Sequence, residues 1–226
     1  MFKLFGELDR LGPGNAESLR WALGLAGIRT DARILDAGCG TGADLGTLCA
    51  AVPKGRVVAL DQAGPFIDRV KARFPRVEAL VGEMTVPSGG PFDLIWSAGA
   101  VYSVGVGAAL RAWRAHLAPG GRVAFSDLRL RVANPPPEVV RFFAAEGVAL
   151  GSVEALQAEV EAEGYRILGA RWVGPAGWAS YYGPLESQLD GFQGDADMVA
   201  TLRAEIALWR THGVTYGYRL MVVEPV

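Results

Sequence analysis

The stretch "ILDAGCGTGADL", Ile34 to Leu45, joins an apolar run ending in an acid to glycines at positions 38, 40 and 42. The run suits a parallel strand buried on both faces. The glycines suit a tight turn in which the backbone takes conformations closed to other residues and can approach a ligand closely. A strand, a glycine turn and then a helix is the junction of an α/β chain, whose ligands sit beyond the carboxyl ends of the strands.

The rest of the chain keeps that rhythm. Apolar runs at Arg33–Asp36, Arg56–Leu60, Val77–Val81, Phe92–Ser97 and Arg122–Asp127 read as strands. Helical patterns fall between them at Gly42–Ala51, Pro65–Phe74 and Gly107–Leu117, with Ala16–Leu25 before the first strand. "APGGR", Ala118–Arg122, reads as a sharp stop between helix and strand. After Asp127 come helices at Glu138–Glu146 and Val153–Glu163, a strand at Tyr165–Val173, an aromatic-rich stretch at Trp178–Leu189, a helix at Asp197–His212 and a last strand at Tyr216–Glu224. The expected fold is α/β, Rossmann-like and doubly wound, with a mostly parallel seven-stranded sheet and inserted helices near the C-terminal end. One domain of 226 residues is expected. Residues 1–32 would form an N-terminal helical segment, 33–128 the core, and 129–147 and 175–213 cap or insert helices.

Gly38, Gly40 and Ala43 formally satisfy the G-x-G-x-x-G/A dinucleotide pattern. Asp36 argues against a dinucleotide. A pyrophosphate would sit against this turn and the following helix, where a carboxylate at the strand end repels it. S-adenosylmethionine (SAM) instead carries an ammonium and a sulfonium, which an acid complements. Asp61, closing the second strand, suits a ribose in either ligand.

With these residues in view, the chain resembles the class I SAM-dependent methyltransferases, of the small-molecule type found in bacteria. "ILDAGCGTG" resembles that family's first motif, "VGEMTVP" its adenine segment, "FDLIWSAGAVYSVG" its fourth-strand motif and "LRAWRAHLAPGGRVAFSD" its fifth-strand segment. The resemblance implies SAM as methyl donor and S-adenosyl-L-homocysteine (SAH) as product. It places Asp36, Gly38, Gly40 and Gly42 on the methionine-binding loop, Asp61 and Gln62 at the ribose, Glu83 and Met84 beside the adenine, and Ser97 at the fourth-strand end beside the cofactor. It also implies that Pro13 and Gly14, in "GPGN", fold over the amino-acid end, where the alternative is an ordinary turn.

For the acceptor, Tyr102 lies just past the fourth strand, and Trp178, Tyr181 and Tyr182 lie in "GWASYYGP", outside the repeating unit. These aromatics either line an acceptor pocket or bury the insert. No residue stands out as a catalytic base. Glu154, Glu159, Glu161 and Glu163 read as the solvated face of their helix. No His/Cys/Asp/Glu spacing suggests a metal. The net charge of −2, with acids and bases interspersed, argues against nucleic acid as substrate. No apolar run approaches the roughly 20 residues of a membrane span, and the N-terminus is broken by charge, Gly and Pro too early for a signal peptide. Two cysteines, Cys39 and Cys49, point to a reduced, cytoplasmic setting. The expected function is methyl transfer to an unidentified small molecule by a monomer or homodimer. The alternatives are a nicotinamide-dependent oxidoreductase, for which the Tyr-x-x-x-Lys signature is missing after the fifth strand, and a SAM-binding module without turnover.

Overall fold

The structure, a computed structural model, describes residues 2–226, with side chains from Leu4 onward. In chain order the elements are α1 (Phe2–Phe5), α2 (Ala16–Leu25), β1 (Arg33–Ala37), α3 (Leu45–Ala51), β2 (Arg56–Asp61), α4 (Gly64–Arg73), β3 (Glu78–Val81), β4 (Phe92–Ala98), α5 (Val106–Trp113) and β5 (Leu117–Leu130). The second part adds α6 (Pro137–Ala145), α7 (Val153–Ala162), β6 (Tyr165–Trp172), α8 (Pro175–Gly191), α9 (Ala196–His212) and β7 (Tyr216–Pro225).

Among the described residues the seven strands form one sheet in the order β3-β2-β1-β4-β5-β7-β6, parallel except for β7. Leu35 pairs with both Val58 and Ile95, so β1 is a central strand and must be apolar on both faces. Alternate residues feed two layers. Leu35, Val58, Ile95, Phe125 and Met221 meet α5 and α7 on one face, while Ile34, Ala59, Leu94, Ala124 and Val222 meet α2, α3, α4, α8 and α9 on the other. The chain winds outward from β1 in one direction and from β4 in the other. That reversal opens a crevice at the carboxyl ends of β1 and β4.

Two sequence expectations change. "APGGR" is no stop but the start of β5, with Leu117 already paired to Phe92 and the helix ending at Trp113 before a short 3-10 turn. Gly120 sits at φ +74, and a Cβ on Gly121 would lie 2.7 Å from the Phe92 carbonyl, so this stretch pairs only because it is glycine. The aromatic-rich stretch lies in α8, a 17-residue helix of the 175–213 segment that contains Pro184. Glu159 is not simply solvated, because its carboxylate accepts from the Gly107 amide at 2.8 Å in the first turn of α5. No helix among the described residues is long and apolar enough to cross a membrane.

Candidate active site

The glycine turn is built by backbone reach. The Gly38 and Cys39 amides both donate to the Leu60 carbonyl, at 2.8 and 3.0 Å, pulling the turn against β2. Gly38, Gly40 and Gly42 have φ of +78, +52 and +85. A Cβ on Gly38 would lie 2.5 Å from Ala100 Cβ and 3.0 Å from Met84 Cε, so the third and fourth strand loops close directly over it. The Met84 loop is pinned in turn by the Trp113 indole, which donates to the Met84 carbonyl at 2.7 Å.

Asp61 locks this cradle. One of its oxygens accepts from the Gly40 amide at 2.8 Å and the other from the Ala63 amide at 2.9 Å. Each oxygen retains a lone pair, so a fixed carboxylate stays able to accept a ligand hydroxyl. Asp36 is 3% exposed, at the end of β1. Burial, then the charges of Asp44 and Asp61, push its carboxyl well above the usual range, with Arg10 pulling the other way.

Over this turn lies the segment between α1 and α2. Arg10 pairs with Asp44, whose other oxygen accepts from the Trp96 indole at 2.9 Å. Thr41 donates to the Asp9 carbonyl, and Leu11 packs 3.0 Å from where a Gly40 Cβ would be. The Gly14 amide donates to Gly177 and Ser180 donates to Gly14, tying the strap to α8.

The crevice is a cavity of about 1070 Å³. Ligand pockets run to roughly 300–1,000 Å³, so there is room for two small molecules side by side. Asp36, Gly38, Gly40, Asp61, Gln62, Glu83, Met84, Tyr102, Trp178, Tyr181 and Tyr182 all line it, as do Gly12 and Pro13. Gly42 and Ser97 do not. Gly42 packs against Leu45, Val70 and Phe74. Ser97 is fully buried and donates to the Ala37 carbonyl at 2.7 Å, joining β4 to β1.

At the far end the aromatics converge. Trp178 stacks on Trp209 at 5.3 Å and 19° and lies 5.4 Å from Tyr182 and 5.7 Å from Tyr218. Tyr182 donates to Glu205 at 2.7 Å. Sequence reasoning missed Arg10, Asp44, Tyr218 and Glu205. For Glu205 a signal existed, since it falls inside the apolar stripe Leu202–Ile206–Trp209 of α9. Arg10 and Asp44 left none, being 34 residues apart.

A glycine cradle beside a buried acid fits a cationic group and disfavours a pyrophosphate. Among the described residues no group of three His, Cys, Asp or Glu is placed to hold a metal ion.

Residues 34–121 match a family described as a methyltransferase domain. The chain is 37% identical over 119 residues to an uncharacterized 37.1 kDa protein of transposon TN4556 in Streptomyces fradiae, covering 48% of this chain and 34% of that protein. It is 34% identical over 110 residues to a malonyl-[acyl-carrier protein] O-methyltransferase of Dechloromonas aromatica, covering 49% of this chain and 41% of that one. The match thus spans about a third to two-fifths of the length of these curated relatives. Among solved structures, a SAM-dependent methyltransferase of Geobacter sulfurreducens in complex with SAH superposes with a TM-score of 0.81 over 100% of this chain and 97% of its own, at 18% identity.

Proposed function

We propose, from a chain whose residues 34–121 match a methyltransferase-domain family and whose whole length shares the fold of a SAM-dependent methyltransferase, that it transfers a methyl group from SAM to a small-molecule acceptor. The observation that carries this reading is Asp36, a buried acid opening onto the glycine cradle. Bound SAM supplies a methyl group already activated on a sulfonium, and its loss leaves SAH.

The chain's own part is to bind, orient and exclude water. Asp36 offsets the ammonium of the methionine moiety, while Gly38 and Gly40 let the backbone approach it. Asp61 and Gln62 take the ribose, and Glu83 and Met84 flank the adenine. Gly42 and Ser97 act one step back, by holding the turn and the β1–β4 seam. Tyr102, Trp178, Tyr181 and Tyr182 form the acceptor wall. Holding an acceptor in line and close removes several kcal/mol of barrier without any acid or base. The two thiols, neither in a disulfide, suit a reduced cytoplasmic setting.

Parallel calorimetric titrations with SAM, SAH and NADH test this. Micromolar binding of SAM or SAH with no heat from NADH is expected, and binding of NADH alone refutes the reading. Release of SAH in the presence of an acceptor then distinguishes an enzyme from a binding module.

A further inference from the structure

The charge of the cavity restricts what the acceptor can be. Its acidic and basic lining consists of six carboxylates, Asp36, Asp44, Asp61, Glu83, Glu146 and Glu205, and one guanidinium, Arg10. Arg10 is already paired with Asp44, and no Lys or His is among the lining residues. A phosphate or carboxylate on the acceptor would enter a negative field with no free cationic side chain in the lining to meet it.

The acceptor end holds one acid in an unusual place. Glu205, in the middle of α9, lines the cavity together with Trp178, Tyr181, Tyr182 and Tyr218. One of its oxygens accepts from Tyr182. The other is engaged by no donor among the described residues. Burial and then the nearby Glu146 push its carboxyl up, against the Tyr182 hydrogen bond. Aromatic rings share that lining, and the face of an aromatic ring attracts a cation. Phe142, Phe143 and Leu202 leave the remaining wall apolar.

We propose that the acceptor is an amine carrying an apolar group, its nitrogen held by the second oxygen of Glu205 among Trp178, Tyr181, Tyr182 and Tyr218. This rests on the methyl-transfer reading and names its substrate class. An ammonium has no lone pair with which to attack a methyl group. Glu205 removes that obstacle by accepting the N–H proton. The carboxylate becomes a carboxylic acid, and the N–H electron pair stays on nitrogen as the nucleophilic lone pair. Burial favours the exchange from both sides, since it disfavours the ammonium as well as the carboxylate.

Three probes of like shape and different charge test the claim by calorimetry on the full chain, with and without saturating SAH. They are 2-phenylethylamine, 2-phenylethanol and 3-phenylpropionate. The amine is expected to bind at least about ten-fold more tightly than the alcohol, and the carboxylate not to saturate. Glu205→Gln, which keeps the shape and the bond from Tyr182, should reduce the amine to the level of the alcohol and leave SAH affinity unchanged. The claim is overturned if the carboxylate binds as well as the amine, if the amine preference survives Glu205→Gln, or if none of the three binds. SAH titrations of the same proteins are read separately. A chain that prefers the amine but does not bind SAH would refute methyl transfer and leave amine recognition standing.

Discussion

Replacing Asp36 by Asn separates what this acid does for a ligand from its effect on the fold. Asp36 is 3% exposed, and its strand is flanked by Ala59 of β2 and Trp96 of β4, so the side chain cannot swing out to water. Burial, Asp44 and Asp61 together outweigh Arg10 and raise its carboxyl. In the ligand-free protein near neutral pH the charged form is therefore less stable folded than unfolded. Asn keeps the size and removes the charge, so the ligand-free variant should melt higher, each kcal/mol of relief giving about 2–4 °C in a chain of this length. Ligand binding should move the opposite way. A hydrogen bond to a charged group contributes about 1.5–3 kcal/mol, so losing the bond to the SAM or SAH ammonium should weaken binding by about 10- to 150-fold. Titration calorimetry with SAH and thermal melts without ligand give the two numbers. If Asp36→Asn binds SAH as tightly as the parent, or melts lower without ligand, the assignment of Asp36 to the ammonium and the charge argument behind it both fail.

Other perturbations have equally definite outcomes. Because the folded-state carboxyl of Asp36 is raised, its contribution to stability is full below the unfolded value of about 3.9 and is lost as pH rises through the folded one; ligand-free melts from acid to neutral pH should fall more steeply for the parent than for Asp36→Asn. Arg10→Ala leaves Asp44 with the Trp96 indole alone; removing one partner of a buried pair costs about 3–5 kcal/mol, and a melting temperature lower by less than about 4 °C would show the strap to be dispensable. Gly38→Ala forces φ +78 on a residue with a Cβ and places that atom 2.5 Å from Ala100 Cβ; strain of about 1–2 kcal/mol and displacement of the Met84 loop should together abolish measurable SAH binding in calorimetry. Asp61→Ala frees the Gly40 and Ala63 amides and should weaken SAM binding more than any single aromatic substitution in the cavity wall, with equal or smaller losses counting against the ribose assignment.

How much of this was legible in the sequence follows from the range of each interaction. Strand β1 and its glycine turn could be read directly, because a strand buried on both faces must be apolar throughout and positive φ demands glycine; both are conditions on neighbouring residues. That the first five strands run parallel follows from the same rhythm, since parallel strands need crossover connections, usually helices; their order in the sheet does not. The limits of α8 were harder to read within the expected 175–213 insert helices, because Gly174, Gly177, Gly183 and Pro184 interrupt the local signal. Its apolar side, Trp178, Tyr181, Tyr182, Leu185 and Leu189, is held instead by burial against the rest of the fold. The start of β5 was misread for a similar reason, as Pro119, Gly120 and Gly121 look like a break until Phe92 is seen pairing with Leu117.

The glycine-turn end of the cavity was therefore largely a matter of sequence, and the aromatic end was not. Asp36, Gly38, Gly40 and Asp61 come from two adjacent strand ends, where the βαβ rule places them together whatever the rest of the chain does. Glu205 interrupts the apolar stripe of α9, but what it meets shows only when α8 and α9 fold over the crevice and bring it against Tyr182. Asp44 likewise becomes a ligand-end residue only when Arg10, 34 positions earlier, is brought to it. Local patterns record conformational necessity, which acts between near neighbours. Burial of charge and the pairing that offsets it depend on which surfaces meet, and that is decided only when the chain closes.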